Sequence, residues 1–201
     1  MAIRNNEPVF SVILAAGSSK RLGQPKALLN IGNTSLIDFT VNRLKEHNLT
    51  IIIVTREELF LDIKCSVTGA ETITNRMPEE GRTGSLQAGL KFILANYSKN
   101  FKTLVVPVDR PGFSSSTLSK ILSMTQTSCP EKDGKGGHPL LLSEVDVKRI
   151  LSQNPKTPLR EIIEPNRFEV MDKYLHLNVD TQEDISTLTK FISSFESNIY
   201  R

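Results

Sequence analysis

Apolar positions recur along the chain with two periods, and the two alternate. Short apolar runs read as buried strands at Val9–Leu14, Ile51–Val54, Thr103–Val108 and Leu140–Leu142, and a weaker one at Glu71–Asn75. Between them the apolar residues fall at helical spacing. Leu36, Ile37, Val41 and Leu44 predict a helix to about Glu46, with Ser35 and Asp38 at capping-box spacing. Glu57–Lys64 predicts a short helix. Ser85 opens another through Leu86, Leu90, Ile93, Leu94 and Tyr97. Ser114–Thr127, Ser143–Leu151 and Pro158–Glu164 read as helices, Pro158 suiting a first helical position. Glycines 134, 136 and 137 with Pro130 predict a loop over Cys129–Gly137. Phe168–Met171 and Tyr174–Val179 read as a hairpin across Asp172 and Lys173. Thr181 and Asp184 cap a last helix carrying Ile185, Leu188, Ile192 and Phe195. Strand, loop, helix and strand in that order predict a parallel α/β sheet.

Length and composition narrow this little. At 201 residues the chain reads as one domain, 1–201, with a core over about 9–192. The net charge of +3 argues for neither a nucleic-acid nor a membrane partner. No apolar run is long enough to span a bilayer. Met1 to Pro8 is polar, unlike a secretory signal. Cys65 and Cys129 lack metal-ligand spacing and read as free thiols of a cytoplasmic protein.

The candidate chemistry starts where the first strand ends. Ala15, Ala16 and Gly17 are small enough to let a ligand approach the backbone. Ser18 and Ser19 follow, then Lys20, Arg21 and Lys26, with Gly23 and Pro25 opposing a helix. Free N–H groups and cations at the carboxyl end of a strand suit a polyphosphate; a solvated basic loop is the plainer reading. Neither G-x-x-x-x-G-K-[ST] nor G-x-G-x-x-G occurs here, which excludes a P-loop and a dinucleotide fingerprint.

LAAGSSKRLGQPKALL resembles the signature of the MobA-like nucleotidyltransferases, L-A-[AG]-G-x-S-x-R-[ML]-G-x-x-K. The resemblance extends over most of the chain. GRTGSLQAGL, from Gly81, is similar to that family's second nucleotide segment, and Asp109-Arg110-Pro111 to its G-D-x-P with Val108 in place of the glycine. Gly137-His138-Pro139 and LNVDTQED, which holds Asp180, complete it.

The resemblance implies a three-layer α/β/α, Rossmann-like fold with a mainly parallel sheet, of the nucleotide-diphospho-sugar transferase type. It implies transfer of an NMP from an NTP to a phosphorylated acceptor with release of pyrophosphate. Ala16 makes the motif more like the cytidylyltransferase side of the family, which implies CTP, molybdopterin as acceptor and molybdenum hydroxylases downstream. The roles it implies are catalytic for Arg21, Lys26 and Asp109. Leu14, Ala15, Ala16, Gly17, Ser18, Ser19, Arg21, Lys26, Gly81 and Ser85 would bind the nucleotide; Arg110, Gly137 and His138 the acceptor; and Asp109 and Asp180 Mg²⁺. Plainer readings stand beside several of these: Ser85 as a helix cap, Arg110 as the partner of a surface acid, His138 as structural and in either charge state, and Asp180 as a turn or capping acid. A sugar- or polyol-phosphate acceptor, and a nucleotide-binding protein without turnover, are the alternatives.

Overall fold

Strands buried on both faces need apolar residues at nearly every position, and β1 (Val9–Leu14) has them. In the computed structural model residues 7–199 are described, with side chains to residue 194. Residues 1–6 of the predicted non-signal stretch and the side chain of Phe195 lie outside that range. In chain order there follow β2 (Asn30–Ile31) and β3 (Thr34–Ser35), a small antiparallel ribbon, then α1 (Leu36–Lys45), β4 (Thr50–Thr55), α2 (Phe60–Ser66), β5 (Glu71–Thr74), α3 (Gly81–Asn96) and β6 (Lys102–Pro107). After these come α4 (Ser115–Leu122), β7 (Ser128–Lys132), β8 (Lys135–Gly136), β9 (Leu140–Leu142), α5 (Glu144–Leu151), α6 (Leu159–Ile162), β10 (Asn166–Glu169) and α7 (Gln182–Ile199).

The main sheet runs β10-β7-β9-β6-β1-β4-β5, with β8 paired to β7. β1 lies parallel to both β4 and β6, β4 to β5, and β7 to β10; the pairs involving β9 or β8 are antiparallel. The expected mainly parallel sheet between two helical layers is what the chain forms. Ile13, Ile51, Ile53, Leu104 and Val106 face a core shared with α1, α2, α4 and α7. Val12, Ile52, Val54 and Val105 face the opposite core, under α3 and α5. Gly89 lets α3 settle on β1: a Cβ there would stand 2.8 Å from Val12 Cγ1.

β4 and β5 lie on one side of β1, and β6 on the other. The chain therefore reverses direction across the sheet beside β1, and a crevice opens there at the carboxyl ends of the strands. Val108 N–H donates to Leu14 O at 3.1 Å and Ala15 N–H to Val54 O at 2.8 Å, so the three loops leave the sheet together.

Five local expectations are corrected. α3 starts at Gly81, with Glu80 as its flanking residue, so Ser85 lies inside the helix and is no cap. Cys129–Gly137 is a hairpin rather than a loop: Asp133 and Gly134, at φ 52° and 72°, form its tight turn between β7 and β8. α4 ends at Leu122, short of Thr127, and Pro158 precedes α6 instead of entering it. The expected hairpin at Tyr174–Val179 is absent. Leu175, Leu177 and Val179 are buried in alternation, but their N–H groups go to Asp172 O, Tyr174 O and Asp109 O, not to a strand. Residues 173–176 form turns, so alternation there reflects alternate burial along a turn and the loop after it, without a ladder.

Candidate nucleotide site

The β1 loop is shaped by its own polar groups. Ser19 takes a left-handed backbone, φ 50°, and its carbonyl accepts from the N–H groups of Leu22 and Gly23. Its hydroxyl accepts from Lys26 N–H at 3.1 Å. This hydroxyl closes the loop on itself and sets where the Lys26 side chain starts. Leu22 and Ala27 are buried and pin both ends of the turn to the core.

Lys26 then reaches across the crevice. Its Nζ lies 3.2 Å from Asp109 Oδ2 and also donates to Asp180 Oδ1. Arg21 Nη2 donates to Asp180 Oδ2 at 2.7 Å, and Asn178 Nδ2 donates to the same oxygen at 2.7 Å. The three side chains around Lys26 Nζ are mostly shielded: 13% of Lys26, 16% of Asp109 and 19% of Asp180 is exposed, against 73% of Arg21. The Lys26 hydrogen bond holds the Asp180 carboxyl below the usual carboxylate range despite its partial burial, and Asn178 and Arg21 add to the effect. Asp184 receives the N–H groups of Asp180 and Thr181, so Asp184, not Asp180, is the capping acid.

This cluster forms one wall of a cavity of about 800 Å³. Leu14, Ala15, Ala16, Gly17, Ser18, Ser19, Arg21 and Lys26 line it, facing Gly81 and Ser85 on α3, with Asp109 and Asp180. All the residues expected at a nucleotide or a metal thus meet in one place. Ser85 Oγ accepts from Asn75 Nδ2 at 3.0 Å and donates to Gly81 O at 3.2 Å, so its hydroxyl is held from two sides. Lys20 of the β1 loop lines the same cavity, with Arg56, Glu58, Pro78, Glu79 and Arg82, which the sequence does not mark. Arg82 lies within the glycine segment that opens α3; the other four follow β4 and β5, whose ends carry no motif.

A second cavity, of about 1070 Å³, adjoins the first, and Leu14, Gly81, Arg82 and Pro107 line both. Gly137 and His138 line the second; Arg110 lines neither. Burial, then the Arg110 charge, lowers the His138 pKa to about 4, against smaller opposing help from Asp109, so this imidazole is neutral at neutral pH. Cys129 also lines the second cavity and is buried, Cys65 is exposed, and both are free thiols.

The donor chemistry fits a hard divalent ion. Two carboxylates converge on a single cation, the Lys26 ammonium, and Mg²⁺ takes one or two carboxylates with substrate phosphates filling its other positions. Among the described residues no group of three or more His, Cys, Asp or Glu gathers to hold a metal without such help.

Comparison with known proteins bears on the family and the fold. The family model for the MobA-like NTP transferase domain matches residues 11–171, most of the chain. The chain belongs to the MobA-like NTP transferase domain family. A molybdenum cofactor guanylyltransferase of Xanthomonas euvesicatoria pv. vesicatoria (strain 85-10) is 30% identical over 122 residues, which are 61% of this chain and 58% of that protein. The match thus spans little more than half the length of this curated relative. Among solved structures, Rv0371c from Mycobacterium tuberculosis H37Rv superposes with a TM-score of 0.78 at 21% identity, over 92% of this chain and 98% of that one. A structure of Rv0371C in complex with manganese gives 0.72 at 18% identity, over 91% and 98%. At these identities the superpositions bear on the fold of this MobA-like domain. No helix among its described residues is long and apolar enough to cross a membrane.

Proposed function

We propose that this MobA-like domain transfers an NMP from an NTP to the phosphate of an acceptor, probed first as molybdopterin, and releases pyrophosphate. The observation that carries the reading is the cluster of Arg21, Lys26, Asp109 and Asp180 on the wall of the cavity lined by the β1 loop. An acceptor phosphate is already anionic at neutral pH, so no covalent nucleophile is required of the protein. Its oxygen bonds to the α-phosphorus, the bond from that phosphorus to the bridging oxygen of the β-phosphate breaks, and pyrophosphate leaves with the electron pair. The protein's contribution is alignment and neutralisation of charge.

Lys26 is ion-paired in the free protein and on this reading trades its carboxylate partners for a phosphate oxygen. Arg21, already largely exposed, swings from Asp180 to the departing pyrophosphate. Asp109 and Asp180 would hold Mg²⁺, whose chemistry there is neutralisation of phosphate charge. Gly81 and Ser85 lie on the nucleoside side of the cavity. The second cavity receives the acceptor beside Gly137 and His138, and the neutral imidazole offers it a hydrogen bond rather than a charge.

Ala16 supports CTP as the donor, and with it delivery of the product to molybdenum hydroxylases. A second reading, GTP, is favoured by the guanylyltransferase relative. The test supplies the protein and Mg²⁺ with each of the four NTPs and molybdopterin and follows pyrophosphate. Release that needs protein, metal and acceptor together, and is fastest with CTP, is the expected result. Faster release with GTP would reverse the base assignment, and no release with any NTP would leave a sugar- or polyol-phosphate acceptor or a binding protein.

A further inference from the structure

Burying a guanidinium is unfavourable unless its donors are satisfied, yet Arg43 is only 5% exposed in the middle of the α1 packing face. One loop supplies two of its acceptors. Arg43 Nη1 donates to Pro111 O at 2.7 Å, and Nη2 donates to Phe113 O. The rings of Phe113, Phe39 and Phe191 surround its carbon at 4.2, 5.4 and 5.8 Å from their centroids, within cation–π range. Burial lowers its pKa to about 10, and Glu46 and Asp172 counter this, so it stays charged at neutral pH.

The loop that Arg43 grips is the one that leaves Asp109, and it is stitched to the segment that ends at Asp180. Asp109 O accepts from Val179 N–H at 2.9 Å, and Asp172 Oδ2 accepts from Ser114 N–H at 2.9 Å. Gly112 lies so close to Tyr174 that a Cβ there would stand 1.8 Å from its carbonyl oxygen. The two carboxylates are therefore carried on neighbouring segments, and the first is moored to α1 through Arg43. If the loop shifts, buried donors lose their acceptors and Asp109 moves relative to Asp180.

We infer that Arg43, which lines neither cavity, is a positioning residue that sets the separation of the Asp109 and Asp180 carboxylates for a shared divalent cation. The inference rests on the metal reading above. Arg43→Lys keeps the charge but loses the planar two-pronged grip and the stacking. The probe is Mn²⁺, titrated against the full chain and followed by electron paramagnetic resonance, with and without CTP. CTP binding in EDTA and thermal unfolding are measured beside it.

The expected result is Mn²⁺ binding weakened by about tenfold or more in Arg43→Lys, since one lost charged hydrogen bond is worth roughly tenfold or more, with metal-free CTP affinity within about twofold of the parent. Phe39→Leu thins the aromatic surround at its partly exposed ring and should give the same pattern in milder form, which keeps the test decisive if Arg43→Lys does not fold. A lowered melting temperature with unchanged Mn²⁺ affinity would overturn the inference and leave Arg43 as packing. Failure of the parent protein itself to bind Mn²⁺, with or without CTP, would instead overturn the metal reading and Arg43's role with it.

Discussion

Gly17 faces open space: a Cβ built on it would meet no atom within 4 Å. Gly17→Ala should therefore leave the melting temperature unchanged, yet put a methyl group where the nucleotide approaches the backbone. Overpacking of that size costs about 1–3 kcal/mol, so affinity for every NTP should fall roughly ten- to a hundredfold. Calorimetric titration of the variant checks this, and unchanged affinity would move the phosphates away from the β1 loop. His138 makes a second claim at this scale. Its folded pKa of about 4 lies below the ordinary 6.5. Between those values the unfolded chain binds a proton that the folded chain does not, so stability rises with pH across that window. It is lost as pH falls from 6.5 toward 4. Urea unfolding of His138→Gln from about pH 7 to about pH 4 should show a flatter slope, by up to about 1.4 kcal/mol per pH unit.

On the proposed function the β1 loop and the start of α3 divide the nucleotide between them. Lys26 would then stand with the charges, so Lys26→Ala should weaken all NTPs alike, by roughly 1.5–3 kcal/mol for a lost charged contact. Ala16→Gly and Ser85→Ala should instead change the ratio of CTP to GTP turnover. Ser85→Ala removes a hydrogen bond of about 1 kcal/mol, and it also takes one acceptor from Asn75, which keeps its bonds to Met77. Steady-state discrimination across the three variants decides the matter, and a ratio moved by Lys26→Ala alone would reverse the placement. Much at this scale was legible because apolar period and capping residues are local: β1, β4, β6, α1 and α5 follow from them. Other features were not. Pro130 and three glycines made β7 and β8 read as loop, although Asp133-Gly134 is itself a hairpin turn signal. Gly81 and Gly84 hid the first turn of α3, which their neighbours stabilise. At Leu175, Leu177 and Val179 periodicity reported which side chains are buried and was silent on where their backbone hydrogen bonds go.

At the scale of the whole molecule, the site exists because the sheet order brings distant segments to one edge. Lys26 and Asp180 are 154 positions apart in sequence, and Lys26 Nζ donates to Asp180 Oδ1 across the crevice. That meeting was legible only through the resemblance of separate motifs to one family; nothing local to Asp180 distinguishes it from a turn acid. Arg43 could not be found this way at all, since the carbonyls it grips and the rings around it come together only in the fold. On the proposed function the α-phosphorus of the nucleotide moves to the acceptor, and Asp109 is needed for the transfer. The direct measurement follows CTP labelled at the α-phosphorus, in parallel with CTP labelled at the γ-phosphorus, in the presence of Mg²⁺ and molybdopterin. The α label should appear in the acceptor product and the γ label in pyrophosphate, and Asp109→Asn should keep the fold and abolish both. Label from the γ-phosphorus in the acceptor, or undiminished transfer by Asp109→Asn, would contradict the account.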